Sequence, residues 1–381
     1  MWYNQETEGF RTDARTCNLS YLQTDWYIDQ MKRPAYDSPA LPITWDRSQY
    51  AADANDYIAI RPEMKALIDS YFKQAQELAE KGDTTVLSLV HSIFGENPYE
   101  LKEIINRWML GKNEQLKMLL KKTNAEIKLP LIPEYMTIRL KDANGQPKRA
   151  LYKNELMMIE MLANANWERP IYMAITVGSE NHLGLGSHFV QEGLAYRFTP
   201  FNMDKLNSKI DTDKMYDNLM NKFKFGGIEK EGIYIDENVM RMCYTHRRLF
   251  SQLAAQLLKE GEKDKALAVL DYAEKMIPSY NVPYDWVNGA FQMAEAYYKL
   301  GETAKANHIV DELANKSLEY MMWYLSLTDN QLAICGENFI YNASLLDAEV
   351  GLMEKNKSDL ASHYAEQLDL LYKAYVTRMQ R

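Results

Sequence analysis

The sequence predicts an α+β fold: an amino-terminal, α/β-like domain with a small mixed sheet, followed by an all-α domain of tetratricopeptide-like helical repeats. Over roughly the first 200 residues, strand-like segments alternate with amphipathic helical segments. After about residue 240 the hydrophobic period is helical throughout, and one segment recurs at an offset of 40 residues. We therefore place the two domains at 1–225 and 226–381.

Turn-forming residues bound the elements of the first domain. Pro34, Gly82 and Gly178 each follow a segment with a clear period, and Asn144-Gly145 separates two strand-like arms as in a hairpin. The predicted strands are 14–20, 57–60, the two arms within 134–152, 169–178 and 193–200. The predicted helices are 2–9, 25–32, 62–81, 98–122 and 153–164.

The second domain is predicted from the internal repeat. The segment that starts at Leu253 aligns with the one that starts at Met293. The identical positions are Ala254/Ala294, Lys259/Lys299, Gly261/Gly301, Glu262/Glu302, Lys265/Lys305, Ala266/Ala306 and Asp271/Asp311. Alanines at these positions let two antiparallel helices approach closely, Gly261 makes the turn between them, and Pro278 ends the second helix. This pattern is typical of a tetratricopeptide repeat.

A third, degenerate helix pair at 338–354 and 358–378 would cap the stack. The first helices of stacked pairs line a concave groove, whose predicted polar residues are Arg247, Arg248, Gln252, Gln256, Asn288 and Gln292, with Glu295 beside them. Two interpretations stay open. The groove grips an extended peptide, or it packs against the first domain.

Composition narrows the classes of function. The 381 residues are 46% hydrophobic, which supplies cores for two domains. The net charge of −9, with lysines spread among acidic neighbours, disfavours nucleic acid as a partner. The longest nearly apolar run, 86–94, is too short to cross a membrane, and the amino terminus lacks a signal-peptide pattern. Three widely separated cysteines predict no disulfide framework, and we expect no cofactor.

A polar and aromatic elbow, "NLSYLQTDWYIDQ" at 18–30, is the strongest candidate for a ligand site. In an open α/β sheet, ligands bind beyond the carboxyl ends of the strands. The residues gathered there would be Asn18, Ser20, Asp25, Trp26 and Tyr27, next to Thr24. They would form a polar crevice with an aromatic wall, suited to stacking on a sugar or a peptide side chain. The structural alternative is a helix cap by Thr24 or Asp25 with two core aromatics.

A second candidate follows the predicted strand at 169–178. Ser179, Glu180 and Asn181 begin the next segment and could contact a ligand, whereas a purely structural turn is the alternative. Gly184-x-Gly186 resembles half of a phosphate-binding loop, but its last glycine is missing.

Other reactive residue types favour structural interpretations. Asp211-Thr212-Asp213 has the acidic spacing with which metal-dependent sugar-nucleotide transferases hold a divalent ion, and Asp236-Glu237 could be paired carboxylates for acid–base work. Both stretches precede helical segments, however, where aspartate is the expected cap, and the Asp236-Glu237 pair could instead bind Arg241 or Arg247. Cys243-x-x-His246 finds no second ligand pair, so we expect no metal site. No nucleophile motif is present, and the sequence predicts no catalytic residues.

Five stretches in order along the chain carry a family resemblance. They are Trp2-Tyr3 with Glu6, Glu8-Gly9 and Arg11-Thr12-Asp13; "NLSYLQTDWYIDQMKR"; "NWERPIYMA"; "EGLAYR"; and "YIDEN" followed by Arg241 and Arg247. With them, the chain resembles the carboxy-terminal soluble part of a bacterial membrane-protein family of formerly unknown function. That family is similar to the protein O-mannosyltransferases of the C-type glycosyltransferase superfamily.

The resemblance implies a location and a role. Family members carry an amino-terminal bundle of transmembrane helices, where acidic residues would perform sugar transfer, so the chain is expected to be truncated at its amino end. It would face the periplasmic side of the bacterial inner membrane. We expect a non-catalytic interaction module that binds a polypeptide acceptor or partner through the repeats and the strand-end crevice. The alternative is an enzyme domain that acts on a glycan or sugar phosphate at that crevice.

Overall fold

The computed structural model describes residues 2–109, 113–123, 130–133, 136, 138–206 and 208–380. The chain divides into two compact units. The first comprises Met1–Tyr172 and Thr176–His188, and the second comprises Met173–Ile175 and Phe189–Arg381. The domain boundary predicted after residue 225 lies inside the second unit.

The first unit combines helices with a small mixed sheet. Its helices are α1 (Trp2–Glu6), α2 (Asp25–Met31), α3 (Glu63–Glu80), α4 (Thr85–Phe94), α5 (Leu101–Ile104), α6 (Glu114–Lys122) and α7 (Lys153–Asn164). Its strands are β1 (Tyr57–Arg61), β2 (Ile132–Pro133) and β3 (Ala150–Tyr152), in the order β2-β1-β3. β1 pairs parallel with β2 and antiparallel with β3, so that Ile58 lies opposite Leu151. Helices were predicted at α1, α2, α3 and α7, and the structure confirms them.

The strand predicted at 14–20 is wrong. Residues 15–18 have no regular secondary structure, and a turn with a short 3-10 helix, Tyr21–Gln23, follows. The physical reason is the side chain of Asn18, whose Oδ1 accepts hydrogen bonds from the backbone N–H groups of Ser20 (2.9 Å) and Tyr21 (3.3 Å). Such local bonds satisfy the backbone in a turn and compete with a strand ladder.

The single helix predicted at 98–122 is interrupted. After α5 the backbone forms a π-helical turn, Ile105–Met109, and residues 110–112 lie outside the described part of the chain. Asn113 has extended backbone angles, and its side chain accepts a hydrogen bond from the Leu116 N–H at 2.9 Å. α6 therefore starts with its own cap. The hydrophobic period continues through both α5 and α6, so the sequence does not reveal the break between them.

The predicted hairpin is confirmed at its turn. Gly145 has φ +75°, the Asp142 N–H donates to the Gln146 carbonyl at 2.8 Å, and Lys141 bridges to Pro147. The distal arm continues into β3, which pairs with β1. Residues 134, 135 and 137 of the other arm lie outside the described residues.

The second unit has a small sheet followed by helices alone. Its strands are β4 (Tyr172–Ala174, without its first residue), β5 (Phe189–Gln191) and β6 (Ala195–Phe198), in the order β4-β6-β5. Its helices are α8 (Thr212–Asp217), α9 (Glu237–Glu260), α10 (Lys263–Met276), α11 (Phe291–Leu300), α12 (Thr303–Ser326), α13 (Asp329–Ile334), α14 (Gly336–Lys355) and α15 (Ala361–Met379). The predicted fold class, an α+β part followed by a helical part, is confirmed.

The two copies of the repeat fold alike. α9 and α10 are joined at Gly261 and α11 and α12 at Gly301, with φ of +84° and +83°. The alanines at the helix crossings are fully buried in one hydrophobic core; they are Ala254, Ala266, Ala294 and Ala306. The third predicted pair corresponds to α14 and α15. The tetratricopeptide assignment stays a prediction.

Gly261→Ala and Gly301→Ala are each expected to lower the free energy of unfolding by about 1 kcal/mol, because a β-carbon at positive φ crowds its own carbonyl. A β-carbon would meet nothing else at either position, so backbone strain is the whole effect. Gly351→Ala is the matched control. Gly351 lies inside α14 in open space, and alanine there should raise stability by about 0.5–1 kcal/mol. Urea unfolding followed by circular dichroism measures all three, and the same sign for all three would contradict the expectation.

Candidate functional site

The elbow predicted from the sequence is a turn held by its own hydrogen bonds. The Thr24 hydroxyl donates to the Tyr21 carbonyl at 2.7 Å, so it does not cap α2. Tyr27 is 2% exposed, and its hydroxyl accepts a hydrogen bond from the Asn18 N–H at 2.8 Å. Asn18 and Tyr27 therefore shape the turn, while Ser20 is exposed at its surface.

Three aromatic rings around this turn remain exposed. Trp26 is 55% exposed, Trp2 45% and Tyr21 41%. The centroid of the Tyr21 ring lies 6.1 Å from that of Trp2, with the rings nearly parallel, and 5.8 Å from that of Trp26. The buried Tyr27 ring packs edge-on against Tyr21 and Trp26, at 5.6 and 5.5 Å. We call Trp2, Tyr21 and Trp26 the aromatic platform.

Ion pairs hold α2, and with it Trp26, in position. Asp29 accepts hydrogen bonds from the Tyr50 hydroxyl at 2.6 Å and from Arg47 Nε at 3.0 Å. Arg47 Nη2 lies 3.3 Å from Asp25 Oδ2. The hydrogen bond from Tyr50, together with Arg47, lowers the pKa of Asp29, which keeps this carboxylate ionised at neutral pH. Asp25, predicted as a ligand-binding residue, is thus engaged in holding the helix.

Buried Glu160 binds the start of segment 44–50, which contains the α2 partners Arg47 and Tyr50. Its Oε1 accepts hydrogen bonds from the Thr44 N–H and the Thr44 hydroxyl, each at 2.6 Å. Glu160 is fully buried, and burial raises its pKa. The Lys32 ammonium donates to the Trp45 carbonyl, which ties α2 to the same segment. Glu160 was not predicted as a site residue, because its only signal in sequence is a lone acid within the apolar run "LMMIEMLA".

A crevice of about 440 Å³ lies beside Trp26. The lining residues are Arg15, Trp26, Asp29, Gln30, Arg33, Pro34 and Ala35. Arg15 Nη2 donates to the Gln30 carbonyl at 2.8 Å. The crevice thus combines an aromatic wall with two guanidinium groups and a carboxylate. Neither arginine was predicted from the sequence as a site residue.

The second candidate from the sequence is a short 3-10 turn, Ser179–Asn181. Asn181 Nδ2 donates to Glu180 Oε1 at 3.0 Å. A β-carbon on Gly178 would lie 2.1 Å from Glu180 Oε1, so this carboxylate folds back over its own turn. Gly184 has φ +74°, as a structural turn requires. The elbow is therefore the stronger candidate of the two.

The predicted groove residues of the second unit differ in accessibility. Arg247 is 1% exposed and Gln256 8%, so neither lies on an open groove surface. Asn288 is half-buried. The exposed members are Arg248, Gln252 and Gln292, and Gln252 Oε1 accepts a hydrogen bond from Gln191 Nε2 at 3.3 Å.

The acidic residues weighed for chemistry begin helices. Asp211 accepts a hydrogen bond from a backbone N–H in the first turn of α8, and Asp236 accepts two at the start of α9. Glu237 pairs with Arg241. Cys243 is buried, and burial raises the pKa of its thiol. Across the residues that the structure describes, no three metal-ligating side chains gather into a cluster.

A protein family matches this chain. Over the described parts of the chain, no helix combines the length and apolar character needed to span a membrane. Comparison with curated proteins and with solved structures found no match. A family model described as TMEM260-associated domain 2 matches residues 1–214, more than half of the sequence and all of the aromatic platform and crevice. The chain belongs to the TMEM260-associated domain 2 family.

Proposed function

We propose that the chain is a non-catalytic binding module of a glycosyltransferase-like membrane protein, and that it holds a saccharide on its aromatic platform. The family links the chain by description to TMEM260. The sequence motifs resemble those of proteins similar to protein O-mannosyltransferases. Both observations support sugars and polypeptides as the ligands of the module. As part of such a membrane protein, the module faces the periplasm of a bacterium.

The exposure of the platform is the observation that carries this proposal. Two tryptophans and a tyrosine leave roughly half of their surface in water although they touch one another. A pyranose ring presents an apolar C–H face that stacks on such rings, and its hydroxyls need polar partners at the edge. Covering one face of a tryptophan contributes about 2 kcal/mol at ~25 cal/mol per Å² of apolar area. Because Tyr27 and the Asp29–Arg47 pair hold Trp26 in place, little ordering is required on binding.

The second unit offers a surface for a polypeptide acceptor. Arg248 and Gln252 lie exposed on α9, and Gln292 lies exposed on α11, the first helices of consecutive pairs. Polar side chains along such a row suit the backbone groups of an extended peptide. The alternative, an enzyme acting at the elbow, needs a free carboxylate for acid–base work, whereas Arg47 engages both Asp25 and Asp29.

Trp26→Ala is expected to weaken oligosaccharide binding at least tenfold, because the largest exposed ring of the platform is removed. The purified chain is applied to immobilised mannose-, glucose- and galactose-containing oligosaccharides, and the affinity for those that bind is then measured by calorimetry. Trp323→Ala is the matched control, since Trp323 is 54% exposed in the second unit. Failure of the native chain to bind any of these sugars, or equal losses in both variants, would refute the proposal.

A further inference from the structure

We infer that the crevice beside Trp26 binds an anionic group, a carboxylate or a phosphate, carried by the saccharide that stacks on the platform. The inference rests on the proposed function and names the class of sugar that the same site selects. Trp26 belongs both to the platform and to the crevice lining, so one ligand can contact both. The volume, about 440 Å³, falls within the ~300–1,000 Å³ of small-molecule sites.

The charge of the lining favours an anion. Its charged residues are Arg15, Asp29 and Arg33. Both oxygens of Asp29 already accept hydrogen bonds, from Tyr50 and from Arg47. The three charged residues of the lining therefore carry a net charge of +1, and Arg47, outside the lining, offsets part of the Asp29 charge although it also pairs with Asp25.

The two arginines differ in how far their donors are engaged. Arg15 uses Nη2 on the Gln30 carbonyl, while its buried Nε finds no acceptor in the described part of the chain. The exposed Arg33 guanidinium forms neither a hydrogen bond nor an ion pair with any described residue. Its positive charge contributes to lowering the pKa of Asp29. The fork of a guanidinium matches the paired oxygens of a carboxylate or phosphate.

The other motif residues around the elbow have structural partners. Asp25 and Asp29 bind Arg47, and Lys32 binds the Trp45 carbonyl. In "NLSYLQTDWYIDQMKR" the large side chains that remain exposed without such a partner include the Trp26 ring and the Arg33 guanidinium. Their joint presence at one crevice is what an acidic sugar would require: a stacking face beside a positive charge.

The test compares calorimetric affinities of the full chain for mannose, mannose 6-phosphate, glucuronate and inorganic phosphate at low salt. The native chain should bind the two anionic sugars at least tenfold more tightly than mannose, and 0.5 M NaCl should reduce that preference. Arg33→Gln should abolish the preference and leave mannose binding unchanged, whereas Arg33→Lys should keep part of it. Arg61→Gln, an exposed arginine elsewhere in the first unit, is the control and should keep the full preference.

The outcomes separate this inference from the proposed function. Equal affinity for mannose and the anionic sugars would overturn the inference and leave saccharide binding intact. Absence of binding to every sugar would refute the proposed function itself. Inorganic phosphate that binds as tightly as mannose 6-phosphate would show a site for free anions, which also overturns the inference. If Arg33→Gln keeps the preference for anionic sugars over mannose, the anion binds away from Arg33, and this result also overturns the inference.

Discussion

Arg247→Ala is expected to lower the free energy of unfolding of the second unit by about 4 kcal/mol. The guanidinium donates through Nη1 to the Pro283 carbonyl at 3.0 Å, and through Nη2 to the Ile277 and Val282 carbonyls at 2.9 and 2.6 Å. Hydrogen bonds to a charged donor contribute about 1.5–3 kcal/mol each. Alanine would leave these carbonyls without that donor and open a cavity.

The position of Arg247 explains why the cost is large. Its partners lie in the irregular segment between α10 and the next helix pair, where backbone carbonyls have no helical N–H to accept from. The guanidinium also lies 4.9 Å from the centroid of the Tyr284 ring. Burial lowers the pKa of Arg247, a sign of its desolvation, and only the complete set of partners offsets that penalty.

Two further variants make the Arg247 expectation specific. Arg247→Lys keeps a positive charge but lacks the planar fork, so about 2 kcal/mol should still be lost. Arg248→Ala removes the exposed neighbour and should change stability by less than about 0.5 kcal/mol. Hydrogen exchange of amides in α9, α10 and the intervening segment reports the local effect. Equal losses for Arg247→Ala and Arg248→Ala would contradict the assigned role.

The helical half of the fold was predictable because its signals are local. A helical hydrophobic period, glycines at the two turns and small residues at the crossings are visible in sequence, and Gly261 and Gly301 have the positive φ that favours glycine. α13 was missed, because its six residues, Asp329–Ile334, are too few to display a period.

The roles of polar side chains were less predictable because their partners are distant in sequence. Thr44 meets Glu160 across 116 residues, and Arg247 meets Val282 across 35. From sequence, Arg247 resembles any polar residue on a helix facing a groove. Arg247 is buried by the irregular segment after α10, which has no hydrophobic period. The spacing of residues in the sequence therefore does not predict this contact.

Many motif residues that suggested a family serve the fold. Asp236 caps α9, Arg247 binds carbonyls, and Arg169 donates from Nη2 to the Ser38 hydroxyl at 2.9 Å. Glu192 is nearly buried and forms ion pairs with Arg197 and Lys214 at 2.8 and 2.9 Å. A sequence motif therefore identifies a protein family more readily than it identifies a binding site. The elbow is the exception, because Trp26 and Arg33 are exposed.

Glu349→Gln is expected to stabilise the second unit by about 3 kcal/mol at pH 8 and to remove a marked pH dependence. Glu349 lies in α14 and is fully buried, and neither carboxylate oxygen finds a hydrogen-bond partner among the described residues. Burial raises the pKa of Glu349 from 4.5 to about 8, and the nearby Ser317 hydroxyl opposes this shift only in part. The folded protein therefore keeps this side chain neutral at pH 7.

The sign of the pH effect follows from which state holds the proton. Between about pH 4.5 and 8 the unfolded chain releases the Glu349 proton and the folded chain retains it. The contribution to stability is fully present below pH 4.5 and is lost as the pH rises through 8, at about 1.4 kcal/mol per pH unit. Tyr364 does not add to this window, because burial raises its pKa further from neutrality.

The difference between Glu349→Gln and the native chain isolates this one group, since contributions from all other titrating residues cancel when unfolding is measured for both from pH 5 to 9. The difference should be near zero or slightly unfavourable at pH 5, because the buried amide still lacks partners, and should grow until about pH 8. Glu354→Gln, at an exposed position of the same helix, should run parallel to the native chain throughout. A Glu349→Gln curve that also runs parallel would mean that Glu349 is ionised in the folded state and that the α14 carboxylate is solvated.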